Sequence, residues 1–249
     1  MHVLAILVVA QMPWTSHLPQ RGFALDVLRP KFEGGGTSTT SVAAYLSGRF
    51  PTGGSFSLRV EVPYAHLGAS GGSSTTFGNP YLGLEAAQDR VTYELGFRPA
   101  LASDDEFATE LGLYSDIMRF PAFLPHVATL SGRITYRNQT STGVTVEAGA
   151  GPSVWIPTGG GDTELIVDHY ASVGYRGAKF WTAFGLGGLL SVTSDDGGFA
   201  ERTIYQLGAS VGLTSGPVRP ALHAILPLDD DITSTLNYVI GLGVAVSIK

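Results

Sequence analysis

The sequence predicts an all-β protein, a twelve-stranded antiparallel β-barrel that crosses a lipid bilayer and carries one short helix in an external loop. Three observations lead there. Apolar residues recur at every second position in segments spread along the whole chain. Most segments run roughly ten to fifteen residues, longer than the five or six usual for globular strands and suited to a tilted strand, which needs about 9–11 residues to span a bilayer. The breaks between segments alternate, one short and the next longer, as hairpin turns on one side of a barrel and loops on the other require.

The twelve segments lie near 23–33, 38–50, 55–66, 79–88, 91–101, 125–138, 143–156, 163–175, 178–193, 199–214, 218–228 and 234–248. In the last one Leu236, Tyr238, Ile240, Leu242, Val244, Val246 and Ile248 alternate with small or polar partners such as Asn237, Gly241, Gly243, Ala245 and Ser247. The third alternates Phe56, Leu58, Val60 and Val62 with Ser57, Arg59 and Glu61, and the fifth Val91, Tyr93, Leu95 and Phe97 with Thr92, Glu94, Gly96 and Arg98. A soluble sandwich buries its apolar face and shows water a charged one. Here the second face carries Gly, Ala and Ser beside a few charges of both signs, which is what a narrow lumen needs while the apolar face meets lipid. Only a closed barrel lets strands satisfy their backbone groups within lipid. The final strand is expected to close on the first, near Leu25 to Pro30.

The short breaks are PTGG (51–54), QDR (88–90), TSTG (140–143), RGA (176–178) and SGP (215–217). With an even strand number they all fall on one side. At that level the outward positions include Phe50, Phe56, Tyr93, Tyr136, Tyr175 and Phe180, an aromatic girdle of the kind found at membrane interfaces. Tyr64, Tyr205 and Tyr238 are candidates for the opposite rim.

Composition limits the rest. Charged residues make up 14% of the chain, against about 25% for soluble domains. The net charge of -6 and the lack of a basic patch speak against nucleic acid as a partner. No run of about 18 apolar residues offers a spanning helix. The chain has no cysteine, which excludes disulfides and thiolate metal sites. Residues 1–22 read as a signal peptide with an apolar stretch from Val3 to Ala10 and a small-x-small site at Gly22-Phe23-Ala24, or as an N-terminal tail; residues 23–249 are the barrel.

The segment 103–125 breaks the strand pattern. Ser103 followed by Glu106 has the form of a capping box, and Phe107, Leu111, Tyr114 and Met118 share one helical face before Pro121. An amphipathic helix in an extracellular loop is expected, either packed on the barrel mouth or acting as a lid. Phe107, Leu111, Tyr114 and Phe123 form the expected ligand entrance. By strand parity Arg49, Arg59, Glu61, Glu85, Glu94, Arg98, Arg133, Arg137, Glu147, Asp168, Lys179, Arg202, Arg219 and His223 point into the lumen. Their mixed signs imply pairing, since unpaired buried charges are costly, and a narrow or blocked lumen. No G-x-S-x-G or H-E-x-x-H occurs. The six histidines are scattered, and the acidic run Asp229-Asp230-Asp231 reads as a solvated loop tip. No catalytic residue, metal or cofactor is expected.

Two stretches resemble a known family. LSGRFPTGGSFSLRVEVPYAHLG, with Glu61, Pro63 and Tyr64, and FGNPYLGLEAA, with Gly78, Asn79, Pro80, Tyr81, Gly83 and Glu85, resemble the outer-membrane transporters grouped under the phenol-degradation pathway. Those are relatives of the long-chain fatty-acid transporter class. The RFPAFLP segment before the sixth strand shares the resemblance. It implies an outer-membrane barrel for passive uptake of small hydrophobic or aromatic molecules, with the lipid bilayer and a small hydrophobic ligand as its partners. The alternatives are a closed barrel with a structural or surface-interaction role and, third, a barrel enzyme. Pro80 and its neighbours also make architectural sense at a strand start, where no ladder N–H is needed.

Overall fold

The structure, a computed structural model, describes residues 12–33, 40–69, 72–104, 106–193, 198–199 and 201–248. Residues 1–11, half of the expected leader, lie outside the described residues. The strands are β1 (Gly22–Phe32), β2 (Thr40–Gly53), β3 (Phe56–Ala69), β4 (Gly72–Phe77), β5 (Tyr81–Gln88), β6 (Val91–Arg98), β7 (Val127–Gln139), β8 (Val144–Pro157), β9 (Glu164–Arg176), β10 (Phe180–Ser191), β11 (Thr203–Leu213), β12 (Val218–Pro227) and β13 (Leu236–Ser247). Between β6 and β7 stand the helix α1 (Glu106–Ser115) and a 3-10 segment, Ile117–Ala122; α2 (Asp230–Thr233) is a single turn before β13.

Twelve of these strands are staves of one closed antiparallel barrel. Closure is made by β13 on β1, with Leu25 opposite Val244 and Pro30 opposite Val239. The extra strand, β4, folds back on the outer end of β3, from Ala69 opposite Gly72 to Tyr64 opposite Phe77. Sequence reading places a loop there, because GSSTTF has no apolar alternation to mark it.

The period-2 pattern fixes which face meets lipid. Leu46, Leu82, Leu95, Ile134, Val146, Phe184, Leu222 and Leu242 are exposed on the outer face, as a lipid-facing band requires. At the tight-turn level Phe56, Tyr93, Tyr136, Tyr175 and Phe180 are also exposed. The expected girdle is therefore present. One two-residue hairpin, Gln88 opposite Val91, leaves only Asp89 and Arg90 to turn the chain. Asp89 takes φ 48° there, a left-handed conformation that Asp tolerates better than most side chains.

The lumen has two layers. Toward the loop side the wall presents Leu28, Ala43, Tyr45, Ala65, Ile225, Leu236 and Val239, all buried; Leu236, expected on the lipid face with the rest of its alternation, turns inward where the register with β1 shifts between Lys31 and Phe32. Toward the turn side it presents charged and hydroxylated residues. An apolar outer half above a polar inner half is the feature that positions everything described next.

Candidate functional site

Charges on the inner wall are paired almost throughout. Ladder register sets like charges side by side: Arg49 lies opposite Arg59, and Glu85 opposite Glu94. The pairs form instead between next-but-one strands, across the strand that lies between them, except for Arg137 and Glu147, which are opposite in the ladder. Arg49 bonds Glu85, Arg59 bonds Glu94 at 2.9 Å and Arg98 bonds Glu61 at 2.6 Å. Arg133 meets Asp168 at 2.9 Å and Arg137 meets Glu147 at 3.6 Å. Tyr81 donates to Glu94 at 2.5 Å and Tyr170 to Glu147 at 2.7 Å.

Into this lumen two segments of the chain descend, one from each end. The first is the loop between β6 and β7. Asn79, fully buried, holds it. Its amide donates to the carbonyls of Pro121 (3.0 Å) and Leu124 (2.8 Å), and its oxygen accepts from the N–H groups of Leu101 (2.6 Å) and Ala102 (2.7 Å). Both ends of the loop are thereby tied to the start of β5, which gives the Gly-Asn-Pro-Tyr element a mechanical purpose.

The expected single helix divides in two. Asp116 leaves the helical region, and its side chain caps the 3-10 segment by accepting from the Met118 N–H. Met118 is therefore not on the face of α1. The Ser103 hydroxyl bonds that of Thr76 at 2.8 Å, and its carbonyl accepts from Thr109; the Glu106 side chain of the expected capping box lies outside the described residues. Arg119 ends up buried among three carboxylates, 3.3 Å from Asp26 and 3.7 Å from both Glu61 and Asp116. Its guanidinium also lies over the Tyr45 ring, 4.2 Å from the centroid. Burial opposes its charge, yet the three carboxylates hold the guanidinium above its ordinary range. Burial pushes the Asp116 carboxyl up, against the pull of Arg119 and of its hydrogen-bond donors.

The second insert is the tail before β1. Trp14 is fully buried and donates its indole N–H to Asp116 at 3.1 Å, so the two inserts meet in mid-lumen. The Ser16 N–H donates to Asp26 at 3.0 Å. His17 stacks on Trp181 with ring centroids 3.7 Å apart and bonds Arg176 through Nδ1 at 3.0 Å. Burial first, then Arg176, Arg137, Arg219 and His223, hold the His17 imidazole well below its usual range. The seated tail thus keeps His17 neutral, while a released tail takes up a proton below about pH 6.5. Seating is therefore favoured above that pH and weakens as the pH falls below it. Cysteine placed at Thr15 should label with a maleimide several-fold faster at pH 5.5 than at pH 7.5 once each rate is divided by that of a free thiol at the same pH, since the thiolate is the reacting form, and His17→Phe should flatten that normalised dependence. Equal normalised rates in both proteins at both pH values would refute this.

Between the inserts and the wall remains a polar cavity of about 110 Å³, lined by Asp26, Arg59, Glu61, Glu94, Arg98, Arg119, Arg133 and Asp168 among others. That is room for several waters.

The expected entrance residues separate. Phe107 is exposed. Tyr114 is half-buried and packs edge-on against Phe32 at 6.3 Å. Leu111 and Phe123 are buried in the core that fills the outer lumen. Of the expected lumen residues, Arg49, Glu61, Glu85, Glu147, Asp168 and His223 are buried, and Arg59, Glu94, Arg98, Arg133, Arg137, Arg202 and Arg219 are half-buried. Arg219 bonds the Ser247 hydroxyl at 3.1 Å. Sequence reasoning missed Trp14, Ser16, His17, Asp26, Asp116, Arg119 and Gln206. Only Asp26 had a local signal, an acidic residue inside an apolar strand.

Two serine hydroxyls meet one histidine, His223. His223 Nδ1 lies 2.7 Å from the Ser210 hydroxyl, and Nε2 lies 3.3 Å from Asp26 and 3.3 Å from the Ser16 hydroxyl. The group sits at mid-barrel, buried beneath the tail, not at the outer rim.

No family model matches the sequence, and no curated protein does. Solved structures do. A crystal structure of an outer membrane channel from Pseudomonas putida F1 superposes with a TM-score of 0.64, covering 95% of this chain and 98% of that one at 10% identity. The chain is a multi-pass outer-membrane β-barrel. LpxR from Salmonella typhimurium has a TM-score of 0.55 at 11% identity, covering 91% of this barrel and all (100%) of its own chain. The NanC porin has a TM-score of 0.55 at 9% identity, covering 90% of this barrel and 100% of its own chain. At these identities the likeness is one of fold.

Proposed function

We propose that this outer-membrane barrel admits small hydrophobic or aromatic molecules by passive passage, its two inserts yielding to the guest. The observation that carries this is the apolar outer half of the lumen, where Leu28, Tyr45, Ile225 and Val239 of the wall face Leu111 and Phe123 of the loop insert. An apolar guest gains about 25 cal/mol for each Å² it buries there. Phe107, exposed on α1, is the first contact; Leu111, Tyr114 and Phe123 are the surfaces it exchanges for. The resemblance of Glu61, Pro63, Tyr64 and Gly78 to Glu85 to the phenol-pathway transporters supports the same ligand class. We place the processed N-terminus ahead of Met12, because residues 12–18 supply buried contacts; intact mass of protein extracted from outer membranes would read it directly.

The test is uptake by intact cells with a complete lipopolysaccharide layer. Expression of the barrel should speed entry of labelled toluene and indole several-fold over an empty vector and leave sucrose unchanged. Equal rates for all three would overturn the reading. A closed structural barrel is the second reading, and the ion-paired inner lumen favours it; it requires that equality. Ser210, His223 and Asp26 lie where the tail covers them.

A further inference from the structure

Trp14 lies in a notch cut by glycines. Gly185 and Gly187 of β10 face the lumen beside Gly208 of β11, with Gly185 in register with Gly208 and Gly187 with Gln206. A Cβ on Gly187 would stand 2.6 Å from the Trp14 ring, and one on Gly185 would stand 2.8 Å from Pro13. A Cβ on Gly208 would run into the ring itself. The wall thus has no room for any side chain where the indole lies. Met118 sulfur closes the notch from the loop insert, close to the same Gly187 position, a soft contact suited to an aromatic edge. One polar feature marks the notch. Asp116 accepts the indole N–H and is itself held by Gln206, whose amide donates to it at 2.7 Å.

The occupant shows what the notch takes: a flat, uncharged ring with one N–H or O–H donor. We propose that it is a binding site for small neutral aromatic molecules bearing such a donor, indole or a phenol, and that Trp14 holds it until one competes. This rests on the uptake reading and names its ligand class. The tethered indole acts at an effective concentration in the millimolar range. A free ring therefore displaces it only at comparable concentration or with better contacts. Once Trp14 leaves, the notch joins the polar cavity beside it, so ligand entry and opening of the path are one event.

The chain has no cysteine, so Thr15→Cys gives a single label site. Thr15 is buried, and its hydroxyl and N–H both donate to the Met12 carbonyl. Leu18→Cys is the second probe if the first does not fold, folding being read as heat-modifiable gel mobility. Millimolar indole or phenol should speed maleimide labelling of the folded barrel by about tenfold, the difference one hydrogen bond to a charged acceptor makes, whereas toluene should change it less than about twofold. Trp14→Phe, a ring without the donor, should label fast with no ligand present. No acceleration by indole, or equal acceleration by indole and toluene, overturns the site. Indole uptake by intact cells separates the two readings. Uptake with unmoved labelling sinks this site alone, and responsive labelling without uptake sinks the uptake reading and leaves the site standing.

Discussion

Arg119→Met is expected to cost the folded barrel about 3–5 kcal/mol, the range for removing one partner of a buried charge cluster. Asp26, Glu61 and Asp116 all turn to this one guanidinium. Without it three carboxylates share a low-dielectric lumen, with Arg98 and His223 left to answer Glu61 and Asp26. The stacking on Tyr45 goes as well. The loss should appear as a lower temperature for the heat-modifiable mobility shift and a lower urea midpoint in detergent. Neutralising a carboxylate in the same background, as in Arg119→Met with Asp116→Asn, should recover part of it. A single-variant loss under about 1 kcal/mol would mean that water, not Arg119, compensates these carboxylates.

Asn79→Ala is expected to release the loop insert while the staves stay paired. The side chain makes four short bonds to the loop backbone. Each buried backbone group left unpaired costs about 1–3 kcal/mol, although relaxation of the loop and entering water reduce the sum. A loss of at least about 3 kcal/mol in insert stability should follow. Trypsin, which finds Arg119 only when the insert leaves the lumen, should then nick the folded variant and spare the parent chain. Equal resistance would show that α1 packing alone retains the loop.

How much of this was legible follows from the range of each interaction. Strand number, inward and outward faces, the girdle and the closing register rest on a period-2 pattern and on turn residues, which are local. The Arg–Glu pairing could be foreseen as a class because both signs sat on one face. Its reach across an intervening strand could not, since that depends on the registers of β2, β3, β5 and β6. The hydroxyl-rich strand β4 carried no apolar alternation. The break at Asp116 was hidden because its stabilisers, Trp14 and Gln206, stand 102 and 90 residues away. In the same way nothing local marks Gly185, Gly187 and Gly208 as a notch, since the rings that fill the space beside them, Pro13 and Trp14, lie far away in the chain.

The central claim is that the lumen of this barrel is filled by two segments of its own chain. Single-channel conductance of the refolded, full-length protein in a planar bilayer tests it most directly, with Asn79→Ala and Trp14→Ala beside it. The parent should carry no steady current, and each variant should show openings whose size scales with salt. A steady, salt-proportional current through the parent, unchanged in the variants, would contradict it and describe an open aqueous pore.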